Sequence, residues 1–251
     1  MTVLNSKNYK NLLLKIMKNI RLYEVESLYL SEKDTHEYPT VSDVKETDMV
    51  HYLMNNASLF EFVDLGLHSG LKWATCNVGA TKPEEYGLYF AWGETQGYTG
   101  IIDEKQFSWA DYKWSADASG TTMTKYNAID GLTTLESADD AATAAYSGCR
   151  MPTKEECDEL TANTTSAWTT VNGVSGMMLT SKVNGNSIFV PATGVCGYGS
   201  LLSVGQFGCL WSSSLENEDS QSASLLLFNS EGLVVNDGNR YVGFNVRPVR
   251  S

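Results

Sequence analysis

The sequence predicts an α+β domain in which two helices accompany a small sheet of short strands with long irregular loops. Three observations predict it: two capped helical segments in mid-chain, a late cluster of alternating strand segments, and a middle stretch rich in Gly and aromatic residues. Ser137-Ala-Asp-Asp140 has an acidic variant of the capping box, followed by Ala141 to Tyr146 and a stop at Gly148. Thr153-Lys-Glu-Glu156 repeats the box behind Pro152, with Cys157 and Leu160 spaced for one buried face. Earlier, the alternation Phe60-Glu-Phe-Val-Asp-Leu65, the turn residues Gly66, Ser69 and Gly70, and then Leu71-Lys-Trp-Ala74 predict a hairpin. Residues 187–190, 224–229 and 232–235 read as strands between Gly, Asn and Asp. Between 77 and 109 the Gly-spaced aromatics suggest irregular connections pinned by buried rings.

The chain divides into an N-terminal segment, 1–57, and a main domain, 58–251. Leu13, Ile16, Met17 and Ile20 recur at helical spacing, predicting an amphipathic helix that docks on the main domain or on a partner chain. Lys15, Lys18 and Arg21 interrupt that apolar run, so a secretory signal is not expected, and no run approaches the roughly 20 apolar residues of a membrane helix. Residues 24–57 are polar and mixed in charge, as in an appendage or assembly segment. A place on a virion, in the cytoplasm or outside the cell by another route fits equally.

Charge narrows the partners. The formal net charge is -12; residues 1–57 carry seven Lys/Arg against eight Asp/Glu, so the main domain carries 11 against 22. Such a surface repels phosphate and makes nucleic-acid binding an unsuitable function. The five cysteines, at 76, 149, 157, 196 and 209, include no Cys-x-x-Cys pair and no histidine at zinc-ligand spacing. They read as buried small apolar side chains, with a bridge such as Cys149 to Cys157 as the alternative. The three histidines, His36, His51 and His68, are scattered and support no hydrolytic triad.

Seven segments in order carry a resemblance. They are Phe-Val-Asp-Leu-Gly-Leu-His-Ser-Gly-Leu-Lys-Trp-Ala at 62–74, Cys-Asn-Val-Gly-Ala at 76–80, Tyr-Gly-Leu-Tyr-Phe-Ala-Trp-Gly-Glu at 86–94, Cys-Arg-Met-Pro-Thr-Lys-Glu-Glu at 149–156, Gly-Asn-Ser-Ile-Phe-Val-Pro-Ala at 185–192, Leu-Trp-Ser-Ser-Ser at 210–214 and Gly-Phe-Asn-Val-Arg-Pro-Val at 243–249. Together, over about residues 60–250, the chain resembles a paralogous family of gut Bacteroidetes and their phages. That family is related to formylglycine-generating-enzyme-like domains and includes variable proteins of diversity-generating retroelements. The resemblance implies a C-type-lectin-like fold, two helices around a small twisted antiparallel sheet with long loops. It also implies a ligand-binding display module, an adhesin or receptor binder, whose C-terminal surface is varied while a frame is kept. Arg240, Gly243, Val246, Arg247 and Pro248 match that frame.

The expected contact surface interleaves with this frame. Its polar loop supplies Glu216, Asn217, Glu218, Asp219 and Gln221, and its first strand Ser224, Leu225, Leu227 and Asn229. The following segment supplies Val235, Asp237, Asn239, Tyr241 and Val242. With a period of two, Leu226 and Phe228 face the core and Leu225 and Leu227 are displayed; the alternative is a central strand buried on both faces. On the display reading Leu225, Leu227, Asp237 and Tyr241 share an exposed patch while Trp211, Phe228 and Phe244 are buried. The acidic loop suggests basic or polar-aromatic protein epitopes.

Two rival functions follow from the same resemblance. One is an invariant assembly domain of a surface or virion complex. The other, a cysteine-dependent oxidase, needs an activated pair such as Cys196 and Cys209, but neither motif holds a histidine or basic residue to stabilise a thiolate. No enzyme activity and no cofactor are therefore expected. Sugar-binding calcium motifs are absent, and 236–239, Asn-Asp-Gly-Asn, reads as a tight turn without the further oxygen ligands a hard cation needs.

Overall fold

A computed structural model of the chain describes residues 61–100, 105–216 and 219–251. The expected N-terminal amphipathic helix and the polar segment 24–57 lie outside the described residues, as do Asn217 and Glu218.

The predicted hairpin at the start of the main domain forms between β1 (Phe62–Asp64) and β2 (Lys72–Ala74), paired antiparallel with Val63 opposite Trp73. β2 also pairs with the final strand, β13 (Val249–Arg250), so the two ends of the described domain close one small sheet. The strands between are β3 (Tyr89–Phe90), β4 (Thr164–Val171), β5 (Val174–Ser181), β6 (Ser187–Pro191), β7 (Val195–Gly197), β8 (Ser200–Leu202), β9 (Phe207–Leu215), β10 (Ser222–Asn229), β11 (Gly232–Asn239) and β12 (Phe244–Asn245). The largest sheet has the order β11-β10-β9-β12-β3; β4-β5-β6 and β7-β8 form the other two.

The helices are α1 (Ala141–Ala145) and α2 (Lys154–Asn163), five and ten residues long. This corrects the expected α+β architecture of two helices around a small sheet. Among the described residues the domain is mostly β, with 13 strands in four sheets. The physical reason is that α1 spans little more than one turn, while strands as short as two residues are held by distant partners, such as Phe244 by Phe90.

α2 begins as its capping box dictates: Thr153 accepts from Glu156 N, and the Glu156 carboxylate accepts from Thr153 N. Arg150 then grips the same carboxylate through two nitrogens at 2.7 and 2.6 Å. The cap of α1 lies three residues later than predicted. Asp140 caps Thr143 N and also accepts from Met151 N. Its neighbour Asp139 is drawn instead toward Lys113, Lys125 and the Tyr126 hydroxyl.

Apolar burial lies on both sides of the five-stranded sheet. On one side Leu210, Leu226 and Phe228 meet Cys157 and Leu160 of α2, Met177 and Leu179 of β5, Ile188 and Val190 of β6, and Trp73. Gly208 makes this possible, because a Cβ there would stand 2.2 Å from the Phe228 ring. On the other side Trp211, Leu225 and Ala223 meet Trp92, Tyr126, Leu135, Met151 and Phe244. Residues of the long connections 105–135 roof this second side; among them Tyr126 stands edge-on at 5.1 Å to Trp92, whose indole N–H donates to Ser212 O of β9 at 2.9 Å.

Candidate functional site

β10 runs centrally between β9 and β11, with Leu225 opposite both Trp211 and Asn236, Leu227 opposite Cys209 and Val234, and Asn229 opposite Phe207 and Gly232. Partners in a ladder share a face, so Phe207, Cys209, Trp211, Leu225, Leu227, Asn229, Val234 and Asn236 all belong to the roofed side. The roof covers only half of it. Trp211 and Leu225 are 0% and 3% exposed, and the Trp211 indole donates to Phe90 O while its ring stands edge-on to Phe244 at 4.7 Å. Toward the other end Phe207, Leu227 and Asn229 are half-buried, Asn236 is exposed, and Val234 is 50% exposed.

Glycine sets where the covered half ends. A Cβ at Gly238 would meet Leu225 Cδ2 at 2.8 Å and the Phe244 ring at 3.2 Å, so β11 lies tight on the core there. Two and four residues back, at Asn236 and Val234, the face has opened. The β7-β8 hairpin borders the opening. Val195 packs on the same cluster as Phe207 and Leu227, Gly194 N donates to Phe207 O, and Leu202 and Val204 are 52% and 37% exposed. The result is a shallow apolar surface with two amides: Asn236, and Asn229, whose Oδ1 already accepts from Glu231 N and Gly232 N and leaves its NH2 to donate.

The predicted contact residues do not form one patch. Leu225 is buried, which overturns its display: β10 is the central strand whose two faces feed two cores. Ser224 is likewise fully buried, opposite Asp237 in the ladder, and Tyr241 is 7% exposed. Tyr241 leaves the sheet to pack edge-on against Trp109 at 4.6 Å, and its hydroxyl lies 3.0 Å from that of Tyr198. Burial, first, and the Tyr198 hydrogen bond push the Tyr241 phenol up to about 12. Trp211, Phe228 and Phe244 are buried as expected.

The others scatter. Asp237 and Asn239 are exposed and Val235 half-buried, but by alternation they point to the α2 side, where Val235 packs. Asp219 is exposed, and it accepts from Gln221 N and Ser222 Oγ in the loop beyond β9. That loop and Asn229 sit at opposite ends of β10, separated by seven rises of about 3.3 Å, or about 23 Å. Glu216 and Gln221 are half-buried at the loop end, and Val242 is half-buried between two clusters. Leu227, Asn229 and Val242 therefore survive on the roofed side, and Val234, Asn236, Phe207, Leu202 and Val204 join them unpredicted. Reading Asn-Asp-Gly-Asn as a turn hid this: β11 continues through Asn239, and the period of two carried onward from Val234 would have placed Asn236 beside it.

The frame residues have structural work. Arg247 is fully buried and donates to Asn77 Oδ1, Ala74 O and Phe189 O; burial lowers its pKa to about 10. All five cysteines are buried and no disulfide joins them. Cys196 and Cys209 belong to different clusters, and burial pushes the Cys209 thiol up to about 12, away from the thiolate that redox chemistry requires. Among the described residues no three His, Cys, Asp or Glu side chains converge as metal ligands would. None of the described helices is long and apolar enough to cross a membrane. Comparison of the chain with family models, with curated proteins and with solved structures finds no match.

Proposed function

We propose that the main domain is a protein-binding display module whose contact surface is the open half of the five-stranded sheet. The observation that carries this reading is the half-roofed face, where the same strands that bury Trp211 and Leu225 leave Leu227, Val234, Asn229 and Asn236 accessible. A rigid sheet presenting an apolar centre with a few amides is a suitable platform for recognition, because little ordering entropy is lost on binding. A standard interface engages roughly 20–30 residues per side, so the sheet residues form its centre and the β7-β8 hairpin extends it. The resemblance of residues 60–250 to a family with retroelement-varied members supports variation at these positions, since their side chains carry little of the core.

The test is a displayed library randomised at Leu227, Asn229, Val234 and Asn236. A second library of equal size is randomised at Lys182, Val183, Asn184 and Asn186 in the β5-β6 turn. The reading expects folded binders to a chosen soluble protein to arise mainly from the first. Equal yields, or a first library that fails to fold, contradict it. Variation in nature is tested separately, by the presence near the gene of a reverse transcriptase and a second copy of the C-terminal coding segment differing chiefly at adenines. Without them, a fixed assembly role becomes the better account.

A further inference from the structure

We propose that the partner of this surface is a basic protein segment, an apolar contact flanked by Lys or Arg; the inference rests on the reading of the open sheet face as the contact surface. From Val183 to Asn239, 57 consecutive residues supply strands β6 to β11 and contain no Lys, Arg or His, but five acidic residues: Glu216, Glu218, Asp219, Glu231 and Asp237. The two on β11 and its turn are exposed, Glu231 at the open end and Asp237 on the α2 face of the same edge strand. Glu231 sits in the β10-β11 turn, where its backbone N–H donates to Asn229 Oδ1, and Asp237 follows Asn236 on β11. Neither forms a salt bridge among the described residues.

Several cations of the connections that roof the sheet are already engaged. Lys105, Lys113 and Lys125 pair with Glu94, Asp139 and Glu136 respectively, Lys125 reaching Asp139 as well, while Arg240 and Arg247 are fully buried. The apolar centre thus has one exposed carboxylate at its open end, Glu231, a second across the edge strand, Asp237, and no cation on the strands that build it. That charge repels a second copy of this acidic chain, nucleic acid and anionic bilayers, and it speeds and orders the approach of a cationic partner.

The experiment pans an unbiased library of displayed 12-residue peptides on the immobilised full chain. Enriched peptides are expected to hold two or three large apolar residues with Lys or Arg on both sides. Their affinity should fall about tenfold between about 50 and 500 mM NaCl. The variant Glu231→Lys/Asp237→Lys should bind about tenfold more weakly with unchanged melting temperature. Neutral or acidic enriched peptides that lose binding in Leu227→Thr/Val234→Asn would overturn the cationic partner and leave the contact face standing. Binding indifferent to Leu227→Thr/Val234→Asn would overturn both, and so would a library with no enrichment. A full chain that sediments as a dimer and is dissociated by Val234→Glu would assign the face to a second copy and overturn the proposal.

Discussion

Arg240 holds its guanidinium over the indole of Trp92, 4.8 Å from carbon to ring centroid. Among the described residues no carboxylate bonds it. Its nitrogens donate to the Tyr112 hydroxyl and to the carbonyls of Tyr126, Ser220 and Lys125, and its own carbonyl accepts from Trp92 N. One side chain just beyond β11 therefore ties the roofing connections to the sheet.

Replacing Arg240 by Lys should lower stability by about 3 kcal/mol, because one ammonium cannot reach four acceptors on three segments and leaves buried carbonyls unmatched. Urea unfolding followed by Trp fluorescence checks this. A loss under about 1 kcal/mol would show that the roof is held by its aromatic packing alone.

The division of the face is tested by two truncations nine residues apart. Leu225→Ala should cost about 3 kcal/mol, in the range for a fully packed leucine. Val234→Ser should cost about 0.5 kcal/mol or less, as for an exposed site. Equal losses in denaturant midpoint would contradict the assignment of covered and open halves.

The thiols provide a chemical test. All five are buried, and burial raises the pKa of Cys76, Cys149, Cys157 and Cys209. At about pH 8 the native chain should react with Ellman's reagent only slowly, and all five should titrate after unfolding in guanidinium. A rapidly reacting native thiol would reopen cysteine chemistry as a function.

Acid should destabilise the domain. Burial alone would raise the Glu156 carboxyl, but the Arg150 fork and Thr153 N–H outweigh it and hold it below the ordinary value. Asp139 is likewise raised by burial, yet lowered overall by Lys125, Tyr126 and Lys113. Groups with depressed folded values contribute stability above their unfolded values, near pH 4, and lose it as pH falls through the folded ones. Burial raises Asp140, which acts with the opposite sign. The unfolding midpoint should therefore drop between about pH 5 and pH 3, and Glu156→Gln should flatten that limb. An unchanged slope in the variant would contradict the Arg150 pairing as the cause.

Local signals in the sequence suffice where the chemistry is local. Thr153 and Glu156 lie one turn apart and define their helix start without outside help. The first hairpin and the strand character of 187–190, 224–229 and 232–235 were equally visible. What failed depends on distant partners. Asp139 and Asp140 divide their roles according to Lys125 and Met151, and Leu225 is buried because Trp211 and Gly238 close on it. Strands of two residues such as β3 and β12 carry no period at all, so the sequence pattern understates the β content and makes the two helices look larger than they are. Period two places Leu227 and Asn229 on one face of β10, as observed, but no local signal tells which half of that strand the roof covers.

The most direct measurement is a methyl NMR footprint on the full chain, titrated with the tightest peptide from the unbiased selection. The account predicts shifts at Leu227, Val234, Val195, Leu202 and Val204, with Val183 at the β5-β6 turn unmoved. Shifts centred on Val183 or Ile129, with Leu227 and Val234 silent, would contradict it.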